Sequence, residues 1–109
     1  MRTPEPRFDP TIHAPNRLRI CALLDAVQSA EFGTVQEKLD VSASVLSKHV
    51  AVLVDAGYVQ QRRATRNTRQ RVWLSLTDAG RTAYQGHVAA LRAIVAGDTE
   101  PFGQTAARQ

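Results

Sequence analysis

The chain is poor in cysteine, in long apolar runs and, over one stretch, in acid. Cys21 is the only cysteine among 109 residues, so no disulfide can form within the chain. No run approaches the roughly 18 apolar residues of a membrane-spanning helix. Met1 to Pro10 holds three prolines and no apolar stretch, so no secretory signal is visible and the expected location is the cytoplasm. Catalytic signatures are missing too: there is no GxGxxG, Walker A loop, GxSxG or HExxH. With no acid–base or nucleophile constellation, an enzyme is the weakest reading. His13, His49, His87 and Cys21 match no zinc-ligand spacing, so neither a metal nor a cofactor is expected.

The stretch that lacks acid is the most informative. Between Ala56 and Thr77 there are five arginines, Arg62, Arg63, Arg66, Arg69 and Arg71, and no Asp or Glu. The whole chain carries a net charge of +4 and a pI of about 10.0. A basic cluster within a basic domain is the electrostatic footprint of a polyanion partner. A hydrophobic content of 43% is that of a globular core, and 109 residues suit one small domain.

Periodicity divides the chain. Residues 1–14 read as an irregular, Pro-rich arm. Pro15 suits the first position of a helix to about Ser29, with Ile20, Leu23, Leu24 and Val27 on its buried face and Leu18 and Cys21 widening it. Thr34 is placed to cap a short second helix to about Asp40. Ser42 is placed to cap a third to Ala56, with Leu46, Val50 and Leu53 inward and Gly57 ending it. Tyr58 to about Arg63 and Arg69 to Leu76 read as two strands joined by the polar run Ala64–Thr68. Thr77 caps a last helix to about Ala96, which carries the apolar stripe Tyr84, Val88, Leu91, Val95. Residues 97–109 read as a flexible tail. The domain proper is thus 15–96. Two short helices joined by a tight turn, followed by a hairpin, describe an α+β, mainly α, winged helix-turn-helix with a two-stranded wing and a C-terminal helix.

In that fold the third helix enters the major groove of double-stranded DNA. Ala43, Ser44, Ser47 and Lys48 are its outward residues, small or cationic, which permits close approach to base edges. The helix start at Ser42 favours phosphate. His49 reads either as a phosphate contact or as a local hydrogen-bonding residue. The arginines and Asn67 form the wing, laid along the backbone or dropped into the minor groove. Strand alternation sets Arg62 and Arg63 on opposite faces and groups Arg69 and Arg71 with Trp73, and the turn position beside Asn67 makes Arg66 the best groove probe. The stripe of the last helix is covered either by a second copy of the chain or by the chain's own first helix.

Pro15–Ile20, then Val45–Val50 with Leu53 and Ala56–Val59, then Trp73 followed by Leu76–Arg81, resemble single-domain winged-helix transcriptional regulators related to the MarR and ArsR regulators. The resemblance covers about residues 12–95. It implies a homodimeric DNA-binding transcription factor, paired through the first and last helices, hence through Leu18, Tyr84, Val88, Leu91 and Val95. The chain departs from metal-sensing ArsR members in lacking their Cys and His ligands, and it is shorter than typical MarR members. The expected function is sequence-specific regulation, with repression favoured. The alternatives are a winged-helix adaptor that binds an acidic protein and a switch released by a small-molecule effector or by oxidation of Cys21.

Overall fold

A computed structural model describes residues 4–97. Its elements run α1 (Pro10–His13), α2 (Pro15–Asp25), β1 (Ala30–Glu31), α3 (Phe32–Leu39), α4 (Ala43–Asp55), β2 (Val59–Arg66), β3 (Arg69–Leu76) and α5 (Asp78–Ala96). The sheet order is β1-β3-β2, antiparallel throughout. This is the expected winged helix, with a third strand added to the two of the wing. Beyond Gly97, the tail expected over 97–109 lies outside the described residues.

The arm is not irregular along its whole length. Asp9 caps the single turn α1, its Oδ1 accepting from the amides of Thr11 and Ile12 at 2.9 and 3.3 Å, and Pro10 takes the first helical position. That turn delivers Ile12 to the core, where it is fully buried. The remaining core comes from α2 (Ile20, Cys21, Leu24), α3 (Val35, Leu39), α4 (Leu46, Val50, Leu53) and the sheet (Val59, Leu74, Leu76). α2 begins at Pro15 as expected and ends earlier, at Asp25. Val27 consequently leaves the helical stripe and is 40% exposed. The chain turns instead into β1, pairing Ala30 with Leu74 and Glu31 with Trp73. Two residues are too few for any period to announce a strand.

Because β1 runs straight into α3, that helix starts at Phe32 and Thr34 lies inside it; Thr34 is not the cap. α4 follows the expected pattern. Ser42 Oγ accepts from the Val45 amide at 3.1 Å, and Gly57 closes the helix at φ 82°. Thr77 caps α5 through the Gly80 amide at 2.9 Å, and Gly97 ends it at φ 79°. Gly80 lies against the backbone of Tyr58, which anchors the base of the wing to α5.

His87 of α5 is fully buried. Its Nδ1 accepts the Asp9 amide at 2.9 Å, so the neutral ring carries its proton on Nε2, which donates to His13 Nδ1 at 3.1 Å. Phe8 packs on both rings, with centroids 4.8 Å away in each case. Burial, then the neighbouring His13, hold His87 below its ordinary value of 6.5, and Asp9 opposes them. The unfolded chain therefore binds more protons than the folded one as pH falls below about 6.5, and stability drops with pH in that window. The urea midpoint should be level from pH 7 to 8 and fall toward pH 5.5, and His87→Gln should remove its own share of that slope and leave the share of His49. An unchanged slope in the variant would assign the effect to other groups.

Candidate nucleic-acid interface

α4 turns its apolar stripe inward and presents Ala43, Ser44, Ser47 and Lys48 to solvent. Ser42 is also exposed, with its hydroxyl engaged by the Val45 amide and by Ser44 Oγ at 3.3 Å. It orders the start of the helix and shares one hydroxyl contact with Ser44. The inward set of Leu46, Val50 and Leu53 also rotates Val45 outward, to 38% exposure. Sequence reasoning missed Val45 as a surface residue. The signal was present, since helical spacing from Leu46 and Val50 takes position 45 off the core face. An exposed valine among serines and a lysine is suited to a thymine methyl.

His49 is half-buried, and its Nδ1 accepts from Arg17 of α2 at 3.3 Å. Burial first, then the charges of Arg17 and Lys48, keep its ring below the ordinary value of 6.5. Arg17 was not among the candidate residues; no local pattern links positions so far apart in the chain.

The wing is longer and tighter than the sequence suggests. β2 continues through Ala64 and Thr65 to Arg66, leaving a two-residue turn at Asn67–Thr68, with φ of 51° and 62°. Positive φ at both turn positions is the geometry whose twist matches a hairpin. Asn tolerates it well, whereas a β-branched threonine is strained there. The register pairs Arg66 with Arg69, Ala64 with Arg71 and Arg62 with Trp73. Arg62, Arg66, Arg69 and Arg71 therefore share one face with Trp73, while Arg63 sits opposite Val72 on the face that leads to the core.

Their environments differ. Arg71 is not free: its Nη1 donates to both carboxylate oxygens of Glu31 at 2.8 and 2.9 Å, across the β1–β3 pair. The acid missing from the arginine-rich segment is supplied by a distant strand. Arg71 ties the wing to β1, and Arg62, Arg63, Arg66 and Arg69 are exposed. Like charges placed directly opposite on a sheet repel. The Arg66–Arg69 pair at the tip is thus a local conflict that a polyanion would relieve.

On α5 the residues turned inward are Gly80, Gly86, His87 and Ala90. Tyr84 and Leu18 pack partly on the chain's own core. Val88 and Leu91 are half-buried, and Val95 is 86% exposed beside exposed Ile94. Among the described residues, the first part of the stripe is covered and its end is open. Cys21 is buried, and burial, then Asp9 and Asp25, push its thiol up to about 12. Thiolate is the oxidisable form, so this environment works against a redox switch at Cys21.

Residues 16–95 match the model of a family described as a winged helix DNA-binding domain. An uncharacterised protein of Methanocaldococcus jannaschii is 28% identical over 72 residues, covering 66% of this chain and 78% of that protein. The structure of a transcriptional regulator homologue from Pyrococcus horikoshii superposes with a TM-score of 0.76 at 28% identity, over 80% of this chain and 86% of that one. The PcaV transcriptional regulator of Streptomyces coelicolor, solved with its natural ligand, shares the fold at a TM-score of 0.69 and 18% identity, over 89% of this chain and 67% of its own. The fold is that of MarR-like regulators.

Proposed function

The chain belongs to the winged helix DNA-binding domain family, and we propose that it acts as a homodimeric, sequence-specific regulator of transcription in the cytoplasm, most simply a repressor that occludes its site. The observation that carries this reading is the pairing of an exposed, small-residue face on α4 with an exposed arginine tip on the adjacent wing. α4 enters the major groove with Ser44, Val45, Ser47 and Lys48 toward base edges. Asn67 and the arginines of the tip meet the flanking backbone or minor groove. A second copy covers Val88, Leu91 and Val95, because an apolar helix end left open is suited to an isologous contact. Two recognition helices then address successive major grooves roughly 34 Å apart.

Selection of duplex fragments by the purified protein, followed by footprinting, tests the whole reading: it expects two protected half-sites about one helical turn apart. No protection at low salt would favour the adaptor alternative. Within the selected site, Ser44→Ala and Lys48→Ala should each change the preference among base variants by about 1–3 kcal/mol. Equal loss on every sequence would make these residues phosphate contacts only.

A small-molecule effector is favoured by one feature, a cleft of about 660 Å³ between the arm and α5 whose lining includes Arg7, Asp9, Tyr58, Asp78 and Thr82. Chemical-shift changes confined to that lining would identify an effector class, and their absence across a broad panel of small acids and amines would remove this reading.

A further inference from the structure

Arg17 stands at the start of α2 and His49 in the middle of α4, 32 residues apart, and only the tertiary fold brings them together. The Arg17 Nε donates to the Thr11 carbonyl of α1, which pins one edge of the guanidinium. Its Nη1 donates to His49 Nδ1 at 3.3 Å. A guanidinium can only donate, so Nδ1 must be bare, and the neutral ring must carry its proton on Nε2. The charges that bear on the ring are Arg17 from α2 and Lys48 on its own helix, and both are cationic. α1 contributes an uncharged carbonyl to the pair. His49 lies one turn beyond Val45 on α4, half-exposed and adjacent to the groove-facing set.

We infer that Arg17 is a positioning residue for DNA binding, which locks His49 in the Nε2–H tautomer as a fixed, uncharged donor to a phosphate oxygen beside the recognition helix. The inference rests on the reading that α4 enters the major groove. A histidine left to itself would be part-charged near pH 6.5, and its phosphate contact would strengthen and weaken with small changes of pH. Arg17 fixes the ring by occupying Nδ1 and, together with burial, opposes a second positive charge, which shifts that dependence to lower pH. Through Thr11 it also ties the orientation of this donor to α1, so the arm takes part in aiming the recognition helix.

The free protein provides the first test, by nitrogen–proton NMR of the histidine rings. In the wild type, His49 should carry its proton on Nε2 and titrate below 6.5. Arg17→Gln should move the titration back toward the ordinary value and mix the tautomers. If that variant does not fold, as judged by circular dichroism, Arg17→Lys serves instead; it keeps the charge but loses the planar fork, and should mix the tautomers. The second test measures affinity for a selected duplex by fluorescence anisotropy between pH 6 and 8. The wild type should hold its affinity from pH 8 to 7 and change at lower pH than the variant does. The Arg17 variant should bind about tenfold more weakly at pH 7.5, the size expected for one charge-assisted hydrogen bond, and recover as pH falls. His49→Ala should lose about the same factor, the double variant little more, and His49→Gln should stay within about threefold of wild type because its amide supplies an uncharged N–H.

Unchanged His49 tautomers in the folded Arg17 variant, or fully additive losses on DNA, overturn the inference while leaving DNA binding intact. Failure of the wild type to bind any duplex at low salt overturns the DNA reading itself, and the phosphate role with it.

Discussion

Gly80→Ala should lower the stability of the fold by about 3 kcal/mol, at the upper end of what overpacking costs, and the melting temperature by roughly 12–24 °C. A methyl group at this position would collide with the Tyr58 backbone carbonyl. A carbonyl cannot swing aside as a side chain can, and this one accepts the Thr77 amide at 3.0 Å. Thr77 in turn donates its hydroxyl to the Gly57 carbonyl at 2.7 Å while capping α5 through the Gly80 amide. The end of α4, the start of β2 and the start of α5 are thus fastened at one point, and an added methyl must separate them. Gly33→Ala is the control. Nothing lies within 4 Å of a methyl there, and a helical glycine replaced by alanine should gain about 0.5–1 kcal/mol. Thermal unfolding of the two variants decides the matter. A Gly80 variant that melts within 3 °C of wild type, on the order of 0.5 kcal/mol, would mean that the close approach relaxes freely. If Gly80→Ala folds at low temperature, the proposed binding to DNA should also weaken, because the wing and α4 lose their common anchor.

Removing both arginines of the wing tip, Arg66→Ala with Arg69→Ala, should weaken binding to duplex DNA by about a hundredfold near 0.1 M salt. It should also lower the slope of log affinity against log salt by about 2, one unit per phosphate contact. The two side chains face each other across the closing pair of the hairpin. Without DNA their repulsion opposes the hairpin, so the variant should be no less stable than wild type and slightly more stable at low salt. Opposite signs for folding and for binding make the test specific. A residue kept for the fold would lose on both counts, whereas one kept for a polyanion loses only in binding. Arg71→Ala provides the contrast. Its guanidinium is already paired with Glu31, so it should change the salt slope little and loosen the sheet instead. Titration at several salt concentrations settles both points, and an unchanged slope in the tip variant would remove the wing from the interface.

Much of this was legible in the chain itself. Ser42 and Thr77 in front of apolar periods, and Gly57 and Gly97 behind them, mark helix ends through backbone hydrogen bonding and positive φ, which are local matters. The inward set Leu46, Val50, Leu53 and the alternation of β3 follow from periods of about 3.6 and 2 residues. The exposed small-residue face of α4 and the basic wing could therefore be named from sequence, because each is a pattern within a single segment.

What the sequence could not determine depends on partners distant in the chain. β1 exists only because β3 offers it an edge, and its formation moves the start of α3 and leaves Thr34 inside the helix. Alternation groups Arg71 with Arg69 and Trp73 on one strand face, and its partner Glu31 became visible only when the sheet placed β1 beside it. The arm looked irregular because α1 is held by Asp9, Tyr58 and His87, and the last two lie 49 and 78 residues away from Asp9. The Arg17–His49 pair has the same origin. By itself the sequence determined the longer helices, the two strands of the wing and its basic tip, since hydrogen bonding and hydrophobic period act over a few residues. Only the tertiary structure decided which charges are neutralised, which histidine nitrogen is bare and which glycine permits no methyl, since each depends on an atom that folding brings from elsewhere in the chain.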